Sequence, residues 1–304
     1  MMWGEFAVEP DAIASSFERF AGLIDRFGVD QGRLISDFAT GSWSRAVLEA
    51  ADASDFGELG MASALERLRE LRDARGIVKA GRVYQDLPGG WLANAAAEDA
   101  RQPFHAVISE AGGSGCVGDC AAINARSDRA PFKVDGFADV PRLAPDIARA
   151  AAPLLRFARV VHLVDPHVSF TQGPMRTGDW VRPLAALIRG CQPNSAVTIH
   201  LLQRPDKPDT GTFIAAARQH LRPSLTQGAT VHLKRWEERV AGQQFHDRAV
   251  LTDMGGMTFG NGLDEGPQGS TVHIQRLDAT GWARLLTKFN PATSPYQLAD
   301  DLVL

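Results

Sequence analysis

The most informative stretch of the chain runs from Phe245 to Glu265. It carries His246-Asp247-Arg248, then four residues, then Asp253, then six residues, then Gly260-Asn261. An imidazole can attack phosphorus, and a guanidinium one residue away can hold the non-bridging oxygens of a phosphate. If this stretch is a strand, its period of two puts His246 and Arg248 on one face. Asp253 would then keep local structure or orient a partner. Taken alone, a His-x-Arg pair near a turn is unspecific, and Asp247 beside Arg248 also reads as a plain surface charge pair. The added Gly260, Gly262 and Asp264 favour a phosphate pocket.

With those spacings the stretch resembles the motif of the phospholipase D superfamily: His-x-Lys, four residues, Asp, six residues, Gly-Ser-x-Asn. Arg248 stands where that motif has Lys; it still binds phosphate, bidentately, with a different reach. Asn261 replaces the Ser and can donate a hydrogen bond, whereas Leu263 replaces the second Asn and cannot. The chain holds one copy of the motif. Enzymes of the superfamily face two copies, one histidine as nucleophile and the other as general acid. The resemblance therefore implies that turnover would need a homodimer joining two His246 side chains, with no metal and no cofactor. The variant His246-Asp247-Arg248 with Gly260-x-Gly262-Leu263-Asp264 is also similar to a side branch, the phospholipase D-like C-terminal domain of eukaryotic MIT-domain proteins and its bacterial relatives. The eukaryotic members of that branch are taken to bind acidic lipid head groups. Asp165-Pro166-His167 at a predicted strand end suits the same family. The resemblance covers about residues 144–289, and the N-terminal half resembles no family we recognise.

Site expectations follow. His246, Arg248 and Asp253 are the catalytic candidates. Arg248, Asn261, His167, Arg204 and Asp264 are the phosphate-binding candidates, His167 and Arg204 because each ends a predicted parallel strand, where ligands gather in open α/β sheets. Lys234, Arg235 and Arg239 with Trp236 could flank a ligand surface, but Glu237 and Glu238 favour a solvated face. His162, His200, His232 and His273 fall inside predicted strands and read as structural.

The elements that would carry these residues alternate strand and helix after Pro145: helix 147–157, strand 159–164, helix 180–189, strand 196–202, helix 213–221, strands 230–234, 249–251, 257–259 and 271–275, and helix 282–289. That rhythm predicts an α/β layered sheet flanked by helices, of phospholipase D-like layout by resemblance, over residues 144–304. Apolar residues at three- and four-residue steps predict helices at 10–30, 33–48 and 61–74, hence a helical N-terminal module over 1–76. Residues 77–143 read as an irregular, β-rich connection with short strands at 82–84 and 105–108. Its glycine run, 111–115, is no P-loop, since no Gly-Lys-Ser/Thr follows. Cys116 and Cys120 in the same run read as small turn residues rather than a metal site.

The chain has 304 residues, 44% hydrophobic and 22% charged, with a net charge of −4, which argues against a general nucleic-acid coat but not against a local basic site. Three cysteines give no disulfide framework. No apolar run reaches 18 residues and no signal peptide is evident, so a cytoplasmic setting is expected. Two functions of different class remain. One is a binding module for a phosphate-containing ligand (nucleic acid, nucleotide or anionic lipid head group), with a protein partner on the N-terminal helices and, by analogy of fold, a place in a bacterial phage-defence system. The other is a metal-independent phosphodiesterase or nuclease working as a homodimer.

Overall fold

The computed structural model describes residues 2–110, 117–119, 132–170, 179–226 and 228–304. The chain divides into two compact units, Met1–Asp135 and Gly136–Leu304. Both are α/β. No helix among the described residues is long and apolar enough to cross a membrane.

The first unit is built on a sheet rather than on helices alone. Strands β1 (Gly4–Val8), β2 (Arg33–Ser36), β3 (Ile77–Val78), β4 (Ala106–Ser109) and β5 (Val117–Asp119) pair in the order β3-β2-β1-β4-β5, every pair parallel. Alternation within β1 explains its position: Phe6 and Val8 enter one buried cluster while Ala7 enters another. The expected helix 10–30 is broken into α1 (Pro10–Ile13) and α2 (Phe17–Ile24), because the Ser16 side chain caps a fresh helix by accepting from the Arg19 N–H at 3.2 Å. The expected helix 33–48 is corrected to β2 followed by α3 (Trp43–Ala53), which Ser42 caps. Helices α4 (Gly57–Asp73) and α5 (Gly90–Arg101) complete the unit. No boundary falls near residue 76, since β4 and β5 join the sheet begun by β1, and the boundary expected at 143 lies at 135. Residues 82–84 form no strand. Arg82 is instead a buried anchor, paired with Glu5 at 2.7 Å and Glu98 at 3.6 Å. Residues 111–116, with the glycine run and Cys116, and Cys120 lie outside the described residues.

The second unit follows the expected alternation. It contains β6 (Phe137–Pro141), α6 (Ala144–Leu155), β7 (Val160–Val164), α7 (Val181–Arg189), β8 (Ala196–Leu202), α8 (Thr210–His220), β9 (Val231–Glu237), β10 (Ala249–Thr252), β11 (Gly256–Phe259), β12 (Thr271–Arg276), α9 (Ala279–Lys288) and β13 (Gln297–Val303). Its eight strands run β13-β9-β8-β7-β10-β11-β12-β6. The three central strands β7, β8 and β9 are parallel; all other neighbours are antiparallel. The apolar runs in β7 and β8 have helices on the path between them, as parallel crossovers require. Edge strands β6 and β13 were not foreseen from sequence. Both alternate exposed and half-buried residues, so neither carries an apolar run.

Candidate functional site

The carboxyl ends of β7 and β8 lie beside the entry to β10. The antiparallel register pairs Ala249 with Val164, which brings Arg248, just before β10, alongside Asp165, just after β7. His246 and Arg248 therefore precede a strand instead of lying within one.

Asp165 is the anchor of this corner. It is 1% exposed, and its carboxylate accepts the backbone N–H of His167 at 2.8 Å, that of Leu263 at 2.8 Å and the Trp180 indole N–H at 3.3 Å. A buried carboxylate is tolerated because these donors replace its water. Gly262 closes against it with φ +104°. A Cβ there would sit 2.8 Å from Asp165 Oδ2, 3.1 Å from Asp264 Oδ1 and 3.5 Å from Arg248 Cδ. Only glycine combines that backbone conformation with that approach. The Gly262-Leu263-Asp264 turn, read from sequence as a tail of the motif, thus holds Asp165 and borders Arg248.

The Arg248 guanidinium has no hydrogen-bond or ion-pair partner among the described residues, and its Nε is buried without one. That is costly unless an anion completes the set of donors. His167 is exposed, and neither ring nitrogen has a partner among the described residues. Partial desolvation holds its pKa below the ordinary value; Asp165 opposes that shift, and Arg248, Lys207 and Arg204 add to it. Three cations therefore converge on this imidazole from two sides, Arg204 and Lys207 after β8 and Arg248 before β10.

The other candidates are placed as follows. His246 is exposed, with Nε2 at 2.7 Å from Gln244 Oε1. Asp247 pairs with Lys288 at 2.8 Å, not with Arg248. Arg204 approaches Glu238 at 3.6 Å, and Glu238 also accepts the Phe245 N–H at 2.7 Å, which ties the β8 end to the His246 segment. Asn261 is exposed and donates to the Thr271 carbonyl at 3.3 Å. The Asp264 carboxylate is bound to Arg142, whose guanidinium also donates to the carbonyls of Asn261 at 2.8 Å and Asp264 at 3.2 Å. Burial raises the Asp264 pKa, Arg142 works against that rise, and Asp165 adds to it. Asp264 thus supports the turn and offers phosphate no donor.

Asp253 stands apart. It accepts the backbone N–H groups of Arg159 at 3.0 Å and Val160 at 3.3 Å, at the start of β7. Asp253 lies five residue steps from Arg248 along the β10 segment, about 16 Å at about 3.3 Å per step. It fastens the far end of the strand pair and takes no place beside Arg248.

The expected solvated face around Lys234 to Arg239 is corrected in part, since Arg235 and Trp236 are buried. Arg235 donates to Asp300 at 3.0 Å, Thr210 at 3.1 Å and the Pro208 carbonyl at 2.6 Å, and also to Gln203. The strand histidines are all engaged: His162 with His200 at 2.9 Å, His232 with Asp301 at 3.3 Å and His273 with Asp139 at 2.9 Å. Sequence reasoning missed Lys207, Arg142 and Trp180. Lys207 follows the β8 end closely enough to have been found by the rule that selected Arg204. Nothing local marks Arg142, which is 122 residues from its partner. Among the described residues no group of three His, Cys, Asp or Glu side chains could hold a metal ion.

No protein-family model matches the chain, and no curated protein matches it. Among solved structures, the archaeal chromatin protein TrmBL2, whose structure shows a novel mode of DNA binding, aligns with 12% identity over 79% of this chain and 83% of that chain. The TM-score is 0.26, too low to bear on fold or function.

Proposed function

We propose that the second unit is a phospholipase D-like binding module whose ligand is a phosphate ester held by Arg248 at the carboxyl edge of the sheet. The observation that carries this reading is Arg248 itself, a guanidinium without a partner among the described residues and with a buried Nε, in a corner where Arg204 and Lys207 add positive charge. Arg forks match two phosphate oxygens at once. Asp165 and Gly262 hold the corner in place. A nucleic-acid backbone, a nucleotide and an anionic head group share this chemistry.

Arg248→Ala is expected to weaken binding of a generic diester, bis-p-nitrophenyl phosphate, at least tenfold by calorimetry, while His246→Ala leaves it within twofold. Full binding by Arg248→Ala would overturn the reading. A second reading, metal-independent phosphodiester cleavage by a homodimer, is favoured by one feature: His246 is exposed near the same corner, where a partner copy could reach it. Turnover of the same diester in EDTA that vanishes in His246→Ala would establish it.

A further inference from the structure

Resting on the phosphate-site reading, we propose that His167 is the proton-carrying member of this site: an anion seated at Arg248 draws a proton onto His167, so the site takes up anion and proton together. The geometry supplies the reason. His167 follows β7, the strand between β8 and β10, and its backbone is fixed by the Asp165 carboxylate at 2.8 Å. The Pro166 carbonyl accepts the Leu202 N–H at 3.4 Å, so the turn leans toward the β8 end.

The charged groups acting on the imidazole come from each flanking element. Asp165 lies on its own turn, Arg204 and Lys207 follow β8, and Arg248 precedes β10. Asp264, on the fourth element, is bound to Arg142, and the Asp165 carboxylate is already shared among three donors. Without an anion, desolvation above all disfavours a charged ring, Asp165 opposes that effect, and Arg248, Lys207 and Arg204 add to it. A bound anion reverses that balance. It screens the cations and offers a new acceptor, and the exposed ring, with both nitrogens unengaged among the described residues, is free to supply the N–H. His167 thereby changes from a neutral bystander to a cationic donor on the same ligand. Binding at this edge would then tighten as the medium acidifies, independently of any ionisation of the ligand.

Inorganic sulfate is the probe, since it does not titrate near neutrality and any proton taken up must come to the protein. Calorimetry in two buffers of different ionisation enthalpy counts that proton. For the wild-type chain, affinity should rise several-fold, up to about tenfold, from pH 7.5 to pH 5.5, with net proton uptake. His167→Gln should bind sulfate with no pH dependence and no uptake, and His273→Gln, on β12 and paired with Asp139, should keep both. Uptake that persists in His167→Gln, or that disappears in His273→Gln instead, overturns the proposal. Sulfate binding that Arg248→Ala abolishes but pH leaves unchanged overturns only the proposal about His167. Binding absent from wild type, or unaffected by Arg248→Ala, overturns the phosphate-site reading with it.

Discussion

At the scale of single residues, the corner depends on one glycine and one carboxylate. Gly262→Ala puts a methyl into the space of Asp165 Oδ2 at a φ of +104°, so the turn or the carboxylate must move. The expected cost is about 1–3 kcal/mol of unfolding free energy in urea titrations, with weakened sulfate binding because Arg248 borders the same turn. Asp165→Asn keeps the shape but loses the charge that counters the cations around His167. The His167 pKa, followed by NMR titration, should fall further. A rise would contradict the assigned electrostatics. The His246, Arg248 and Gly262 pattern was legible because its spacing is short and local. Asp165 was visible only as a strand end, and its role arises from a pairing with Leu263 across 98 residues.

At the scale of elements, β7, β8 and β9 are tied by a polar relay inside the sheet. The Trp236 indole N–H donates to His200 Nδ1 at 3.0 Å, so a neutral His200 carries its proton on Nε2 and donates it to His162 Nδ1 at 2.9 Å. Burial pushes the His162 pKa from 6.5 down to about 4 and that of His200 well below its ordinary value, with nearby Lys234 adding to both. Folded-state values below the unfolded one mean that the unfolded chain binds more protons in this window. Stability is therefore expected to be level above pH 6.5 and to drop as pH falls toward 4, by roughly 3 kcal/mol from His162 alone. Urea titrations across this range check it, and His162→Gln should flatten the slope. Asp253 gives a contrasting test at the other end of β7. Asp253→Ala removes acceptors from two backbone N–H groups and should cost about 1–2 kcal/mol while leaving sulfate affinity unchanged. Loss of affinity there would restore Asp253 to the site. Strands β7 and β8 were readable as unbroken apolar runs. Strand β2 was not, because Arg33-Leu34-Ile35-Ser36 is four residues long and merges with the helical spacing of Trp43 and Val47. The edge strands β6 and β13 lack the apolar run that marked β7 and β8, and they form only through pairing with β12 and β9.

At the scale of the whole molecule, each unit keeps its own sheet, and every strand of the eight-stranded sheet lies within residues 136–304. A fragment of those residues is expected to fold alone, with a cooperative thermal transition and amide dispersion in NMR; an unfolded spectrum would refute that autonomy. The strand–helix alternation placed the start of the second unit at 144, close to the observed 136, but the union of residues 77–135 with the first unit could not be read, because the parallel pairing of β1 with β4 links segments a hundred residues apart and leaves no local mark. The same nonlocal logic governs the end of the second unit. Strand β13 covers the outer edge of β9 and supplies Asp300 to the buried Arg235. Cutting the chain after Tyr296 would strip that edge and strand a cation in the interior together. The shortened protein would then offer β9 as a template to other copies, and clumping in storage, rather than a milder melting point, would be its signature.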